Sequence, residues 1–230
     1  MMRVEEAIAR AQANSPFLSG LMERNPDLMA MIEVGEFEAA LSVSLSRTAD
    51  SVGTALRLQR QGVALVTAIA DLAGVWDLTR VTHILSDFAD HALDQAISAA
   101  IEERVPGAPN QGFAVIALGK HGGRELNYSS DIDPIFLFDP KTLPHRERDD
   151  VAEAAVRYGR RVIELLSALD GDGYVFRVDM RLRPSPEVSP IVLPVEAAIG
   201  YYESSALAWE QAAFIRSRVS SGDRALGDYF

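Results

Sequence analysis

FAVIALGKHGGRELNYSSDIDPIFLF, residues 113–138, is the stretch on which the reading of this chain turns. Phe113 to Leu118 is an apolar run ending in Gly119-Lys120, and a second apolar run follows Asp131 and Asp133. Short apolar runs bounded by turn residues read as buried strands. Side chains at i and i+2 of a strand share a face, so the two carboxylates lean the same way, roughly 7 Å apart along the backbone. Two acids on a mostly apolar strand repel each other and lose solvation. A divalent cation offsets both costs, and magnesium is commonly held so, with phosphate oxygens completing its shell. Alone, Asp-x-Asp reads as the solvated mouth of an ordinary strand. The context shifts the balance. The turn Gly119-Lys120-His121-Gly122-Gly123 offers phosphate a glycine-rich backbone, and the hydroxyls of Ser129 and Ser130 stand directly before the acids.

Downstream, apolar positions Val151, Ala155, Tyr158, Val162, Leu165 and Leu169 predict a helix over about 146–169, closed by Gly171-Asp172-Gly173. Residues 174–182 then alternate. Tyr174, Phe176, Val178, Met180 and Leu182 predict a core face, and Arg177, Asp179, Arg181 and Arg183 the other. A solvated face with ion pairs and a third metal ligand among phosphate-binding arginines are both compatible with this strand. Beside the two-aspartate strand the second reading leads, because a planar guanidinium suits bidentate phosphate contacts. Pro184, Pro186 and Pro190 predict a stiff loop, and Pro194 the start of a helix. A last helical stretch over 207–218 is expected to bury Trp209 and to leave Arg216 and Arg218 facing solvent. No closing element is evident after it.

Upstream, residues 1 to about 105 are helical in pattern. Ser15-Pro16 and Asn25-Pro26 read as helix starts, helices follow over 38–60 and 63–75, and Asp77 reads as the cap of a helix whose buried face is Val81, Leu85, Phe88, Ala92 and Ala96. His83 and His91 on that helix read as surface histidines. Pro106 to Gly112 breaks the pattern as a linker. The expected organisation is α+β: a helical region over 1–110, a catalytic core over 111–193, and helices over 194–230 that begin a further helical region.

The bulk numbers narrow the class. The chain has 230 residues, 48% hydrophobic and 24% charged, as in a globular protein. A net charge of -11 argues against general affinity for nucleic acid. Cysteine is absent, which excludes disulfides and thiolate metal sites and fits a cytoplasmic setting. Residues 1–15 are amphipathic without a secretory apolar core. The most apolar stretch, Gly62 to Trp76, is interrupted by Asp71 and falls short of the ~20 residues a bilayer needs. No membrane association is expected. There is no Walker-type phosphate loop, no dinucleotide fingerprint, no nucleophile elbow and no His-Glu-x-x-His. Paired metal carboxylates beside a phosphate turn leave nucleotidyl transfer as the natural class.

The motifs GKHGGRELNYSSDIDPIF, FRVDMRLRPSPEVSPIVLPVEAAIGYYES and WEQAAFIRSR, in this order, closely resemble bacterial glutamine synthetase adenylyltransferase/deadenylylase. The resemblance implies a small nucleotidyltransferase domain of the DNA polymerase beta type, with a few-stranded sheet flanked by helices. It implies that Asp131, Asp133 and Asp179 hold magnesium, and that Gly119, Lys120, Ser129, Ser130, Arg181 and Arg183 handle phosphate or nucleotide. The wording Asn127-Tyr128-Ser129-Ser130-Asp131-Ile132-Asp133 and the leading helices resemble the family's adenylyl-removing half. That half uses inorganic phosphate to strip AMP from a tyrosine of glutamine synthetase, releasing ADP. The expectation is therefore phosphorolytic deadenylylation. The alternatives are the adenylylating half, which uses ATP, and a fragment that binds nucleotide or partner without turnover. Glutamine synthetase is the implied protein substrate, and a PII-type signal protein a partner of the full enzyme. Pro134 stands where the family usually has an aliphatic residue, which puts the strand geometry after Asp133 in question.

Overall fold

The computed structural model describes residues 3–230, so residues 1 and 2 of the amphipathic opening lie outside it. The chain divides into two compact units, residues 1–88 with 126–128, and residues 89–125 with 129–230.

The first unit is helical. It holds α1 (Val4–Asn14), α2 (Pro16–Arg24), α3 (Pro26–Glu33), α4 (Phe37–Leu45), α5 (Val52–Ala73) and the first part of α6 (Leu78–Arg104). Prolines open α2 and α3, where a missing N–H is not required, and Ser15 caps α2 by accepting from the Leu18 N–H at 3.2 Å. Asp77 caps α6, as its position predicts, through the Arg80 N–H at 2.8 Å. The break between the long helices falls elsewhere than expected. It lies before Ser51, which caps α5 by accepting from the Thr54 N–H at 3.1 Å, and α5 then runs unbroken through Gln61, Gly62 and Val63. Residues 61–70 of α5 are all buried, so this helix is apolar nearly all round and forms the centre of its unit.

The second unit is α+β. Its sheet has the order β3-β2-β1-β4, built from β1 (Phe113–Leu118), β2 (Asp133–Phe138), β3 (Val192–Pro194) and β4 (Arg218–Gly222). β1 pairs antiparallel with both β2 and β4, with Leu118 opposite Asp133, and β2 pairs parallel with β3. The alternation of strand side chains assigns the two faces. Ile116, Leu118, Ile135, Leu137 and Leu193 join Ala198 of α9 (Val195–Ser204) in one apolar cluster, with Tyr202, Phe214 and Phe230 packed against it. Phe136 and Val192 lie against α8 (Val151–Ser167), whose buried side includes Ala155, Tyr158, Val162 and Leu165. Leu169, expected on that side, lies beyond the helix and is exposed.

Three sequence expectations change here. Residues 174–182 are not a ladder strand. Only Val178 bridges to Ile132, and Val175 and Phe176 are both buried, with both amides donating to the Leu166 carbonyl. The Asp179 carboxylate turns back onto the Arg181 N–H at 2.9 Å, which bends the chain where a strand would continue. The 207–218 segment is α10 (Ala208–Ala213) and a single 3-10 turn, and it then extends into β4, so the sheet gains a strand from Arg218-Val219-Ser220-Ser221. Trp209 is 48% exposed and is not a core residue. After β4 comes a further helix that the sequence did not suggest, α11 (Arg224–Tyr229), capped by Asp223, whose other carboxylate oxygen accepts from the Gly112 N–H at 2.9 Å.

Pro134 fits its strand. Ile132 directs both its N–H and its carbonyl to the 177–179 segment, away from β1. Backbone groups two residues on point the same way, so the Pro134 nitrogen also faces away from β1. On that side the β3 ladder begins only at Phe136, and no β3 bond is lost.

Candidate active site

The three aspartates converge. Two backbone bonds, Ile132 N–H to the Arg177 carbonyl at 3.0 Å and Asp179 N–H to the Ile132 carbonyl at 2.9 Å, clip residues 131–133 beside 177–179. Side chains flanking Ile132 and Val178 therefore meet at one sheet end. Burial pushes Asp133 up to about 6, with the negative charges of Asp179 and Asp131 adding to the rise and Arg181 opposing it.

Its two neighbours are compensated. Arg177 donates to Asp131 through Nε at 2.6 Å, to the Ser129 carbonyl at 2.8 Å and to the Tyr174 hydroxyl at 2.9 Å. Arg181 grips Asp179 with Nε at 2.9 Å and a terminal nitrogen at 2.5 Å, and this pairing holds the Asp179 carboxyl below its ordinary range. The Arg181 side chain is 86% exposed, so the grip is a surface one and exchangeable. Among the described residues no group of three acidic or histidine side chains is arranged to hold a metal ion.

β1 ends at Gly119, and the turn that follows is α7 (Gly119–Gly122). Gly119 has φ +57°, and a Cβ there would lie 2.9 Å from the Asp133 Oδ2. Only glycine accepts both the left-handed backbone and that approach. Lys120 is exposed beside it, and Ser129 and Ser130 lead into Asp131. Arg183 is committed elsewhere. Its guanidinium donates to the carbonyls of Met180, Pro186 and Ser189 and folds the 180–190 loop. The structure thus brings together Gly119, Asp131, Asp133, Asp179 and Arg181, keeps Lys120, Ser129 and Ser130 on the adjoining segments, and turns Arg183 into its own loop.

Residues 5–230 match the family model described as Glutamate-ammonia ligase adenylyltransferase. The chain belongs to this family. It is 39% identical, over 97% of its length, to the bifunctional glutamine synthetase adenylyltransferase/adenylyl-removing enzyme of Caulobacter vibrioides, and 38% identical, over 99%, to the enzyme of that name from Rhizobium meliloti. It covers 25% and 26% of those two proteins, so the chain spans about a quarter of their length. The family's description corrects the expectation of phosphorolytic deadenylylation. The model that covers nearly the whole chain is named for adenylyl transfer, which favours the ATP-using alternative. The relatives' printed name carries both activities, and it does not assign this quarter of their length to either one.

Sequence reasoning missed two groups in this family member's site. Arg177 was visible in the alternation of 174–182, yet its tie to Asp131 spans 46 residues and has no local signature. Asp90 of α6 carried no signal at all. It reaches His121 of the turn, and Arg218, expected to face solvent, is turned inward onto it. No helix among the described residues is long and apolar enough to cross a membrane.

Proposed function

We propose that this chain is an adenylyl-transferring module acting in a cytoplasmic nitrogen-control enzyme, and that it moves AMP from ATP to a tyrosyl hydroxyl of glutamine synthetase. The observation that carries the reading is the convergence of Asp131, Asp133 and Asp179, with Asp133 raised to about 6 by burial and by the other two acids. Asp131 and Asp179 are answered by arginines while Asp133 has none of its own, so a cation would find its largest gain at Asp133.

The donor types suit magnesium, because carboxylate oxygens are the ligands a hard divalent cation takes, but the three acids are not arranged around an ion as they stand, and Arg177 and Arg181 would first have to release Asp131 and Asp179. Asp131, Asp133 and Asp179 would hold it, and when bound it would neutralise triphosphate charge and the charge growing on the departing oxygen. The chain's own residues do the positioning. Gly119, with no side chain, lets the turn close onto the Asp133 carboxylate, so that its backbone stands beside the acids. Lys120 offers an exposed ammonium next to it. Arg181 exchanges Asp179 for a phosphate oxygen, which its surface position permits. The tyrosyl oxygen forms a bond to the α-phosphorus, the bridge to the β-phosphate breaks, pyrophosphate leaves with the electron pair, and the hydroxyl proton goes to solvent at this half-exposed site. Positioning and charge neutralisation supply the rate.

A second reading is favoured by the guanidiniums already sitting on Asp131 and Asp179: a module that binds nucleotide or glutamine synthetase without turnover. One experiment separates them. The purified chain is incubated with unmodified glutamine synthetase, ATP and magnesium, and the synthetase is weighed by mass spectrometry. Addition of one AMP per subunit, abolished by D131N/D133N, supports transfer. Binding of synthetase or ATP with no mass gain in the wild-type chain would overturn it in favour of the binding module. ADP released in a parallel incubation with adenylylated synthetase and phosphate, with no AMP addition in the first, would overturn both.

A further inference from the structure

We infer that Asp90 is the positioning residue that fixes the glycine turn beside the three carboxylates. The inference rests on the adenylyl-transfer reading of that site.

The turn cannot hold itself. α7 is four residues long, too short for its own hydrogen bonds to define it. One carboxylate does so from outside. His121, which follows Lys120 directly, is fully buried, and its Nε2 lies 2.7 Å from the Asp90 Oδ1. Arg218 at the start of β4 grips both Asp90 oxygens, at 2.7 and 2.9 Å, and donates to the His121 carbonyl at 3.3 Å. The Asp90 carbonyl accepts from the Ser221 hydroxyl at 3.0 Å. Helix α6, strand β4 and the turn are thereby joined through one residue into a closed ring of bonds.

The protonation states agree with this arrangement. Burial holds His121 below its ordinary pKa against the pull of Asp90, so the ring is neutral and donates through Nε2–H. Its Nδ1 is buried and has no partner in the structure, as a bare lone pair would be. Burial alone would raise Asp90, but the bonds from His121 and Arg218 hold it below its ordinary value, so it stays a carboxylate.

The ring of bonds controls the site because the turn has no slack. At Gly122 a Cβ would stand 1.8 Å from the Arg216 carbonyl oxygen and 2.6 Å from that of Ala117. Gly119, three residues before it, abuts Asp133. Freeing His121 therefore moves Gly119 and Lys120 relative to the acids. Asp90 touches neither substrate nor the three aspartates. Its effect is carried by His121 and Arg218.

The test uses D90N, which keeps shape and loses charge, and R218K, which keeps charge and loses the two-pronged grip. E103Q serves as control, since Glu103 is a half-exposed acid of the same helix paired with Arg161. Amide exchange is measured along the chain, and AMP transfer is measured as a function of ATP concentration. In D90N, exchange over residues 119–125 is expected to quicken roughly tenfold while the centres of β1 and β2 stay protected. KM for ATP is expected to rise about tenfold with kcat within about twofold, as loss of binding shared by ground and transition states requires. R218K is expected to show both effects more weakly, and E103Q neither. If D90N does not fold, R218K alone decides. Unchanged exchange at 119–125, or exchange that quickens evenly over the whole sheet, overturns the inference, and so does an unchanged KM in an active variant. A wild-type chain that transfers no AMP sinks the adenylyl-transfer reading instead, and the exchange measurement still decides the role of Asp90.

Discussion

Two partly buried carboxylates in the same unit move in opposite directions. Asp133 is pushed up to about 6, and Asp90 is held below the ordinary range. Burial opposes ionisation at both. The difference is the company each keeps. Asp133 faces Asp131 and Asp179, with one arginine acting from a distance, whereas Asp90 receives three donors at 2.7 to 2.9 Å. A satisfied carboxylate is scaffold and gains nothing from a ligand. A crowded one keeps an electrostatic cost that an incoming cation would relieve.

This contrast can be broken by substitution. The largest effect is expected from D131N/D133N. AMP transfer should fall at least about 10²–10³-fold, the scale for removing preorganised charge stabilisation, while the melting temperature holds or rises because repulsion is removed. A melting temperature that falls sharply would mean the acids support the fold. Next comes D90A, which leaves Arg218 an inward-facing charge without its partner. Urea unfolding followed at the β1 amides should show a loss of about 3–5 kcal/mol. A loss under about 1 kcal/mol would place Asp90 among surface ion pairs. G119A tests the boundary between the two regions. The left-handed backbone alone predicts about 1–2 kcal/mol of destabilisation, and the encroachment on Asp133 predicts a loss of transfer larger than the loss of stability.

The dependence on pH sharpens the contrast by its sign, which separates the two acids. The folded pKa of Asp133 is raised above the unfolded 3.8, so its contribution to stability is full below about 4 and is lost as pH rises through about 6. In metal-free protein, D133N should melt higher than wild type at pH 7, and the gap should close by pH 4. Asp90 runs the other way. Its stabilisation is full above the unfolded value near 3.8 and is lost as pH falls through the lowered folded value. A gap between D133N and wild type that widens toward pH 4 would reverse the assignment.

The legible part of the site was the part with a local period. Asp131 and Asp133 share a face through an i, i+2 rule, and the glycine turn is written contiguously. Asp179 and Arg181 share a face in the alternation of 174–182, which by itself left a solvated face equally open, and the segment bends and is no strand. What stayed hidden had distant partners or few residues. Asp90 sits between Phe88 and Ala92 on a helix whose apolar stripe says nothing of an acid, and its partners lie 31 and 128 residues away. β3 has three residues and ends in a proline, and β4 reads Arg-Val-Ser-Ser-Gly, too short and too polar for any strand template. Arg218 was read as solvated for the same reason: a charged side chain is inward only if something inside answers it.

Composition, helical periodicity and the order of three motifs were enough to determine an α+β chain of the glutamate-ammonia ligase adenylyltransferase family with acids at a strand end, because these depend on neighbours in sequence. Only the tertiary structure decided which charges are answered and which are left crowded. That depends on desolvation and on donors arriving from remote segments, and neither quantity exists until the chain has closed on itself.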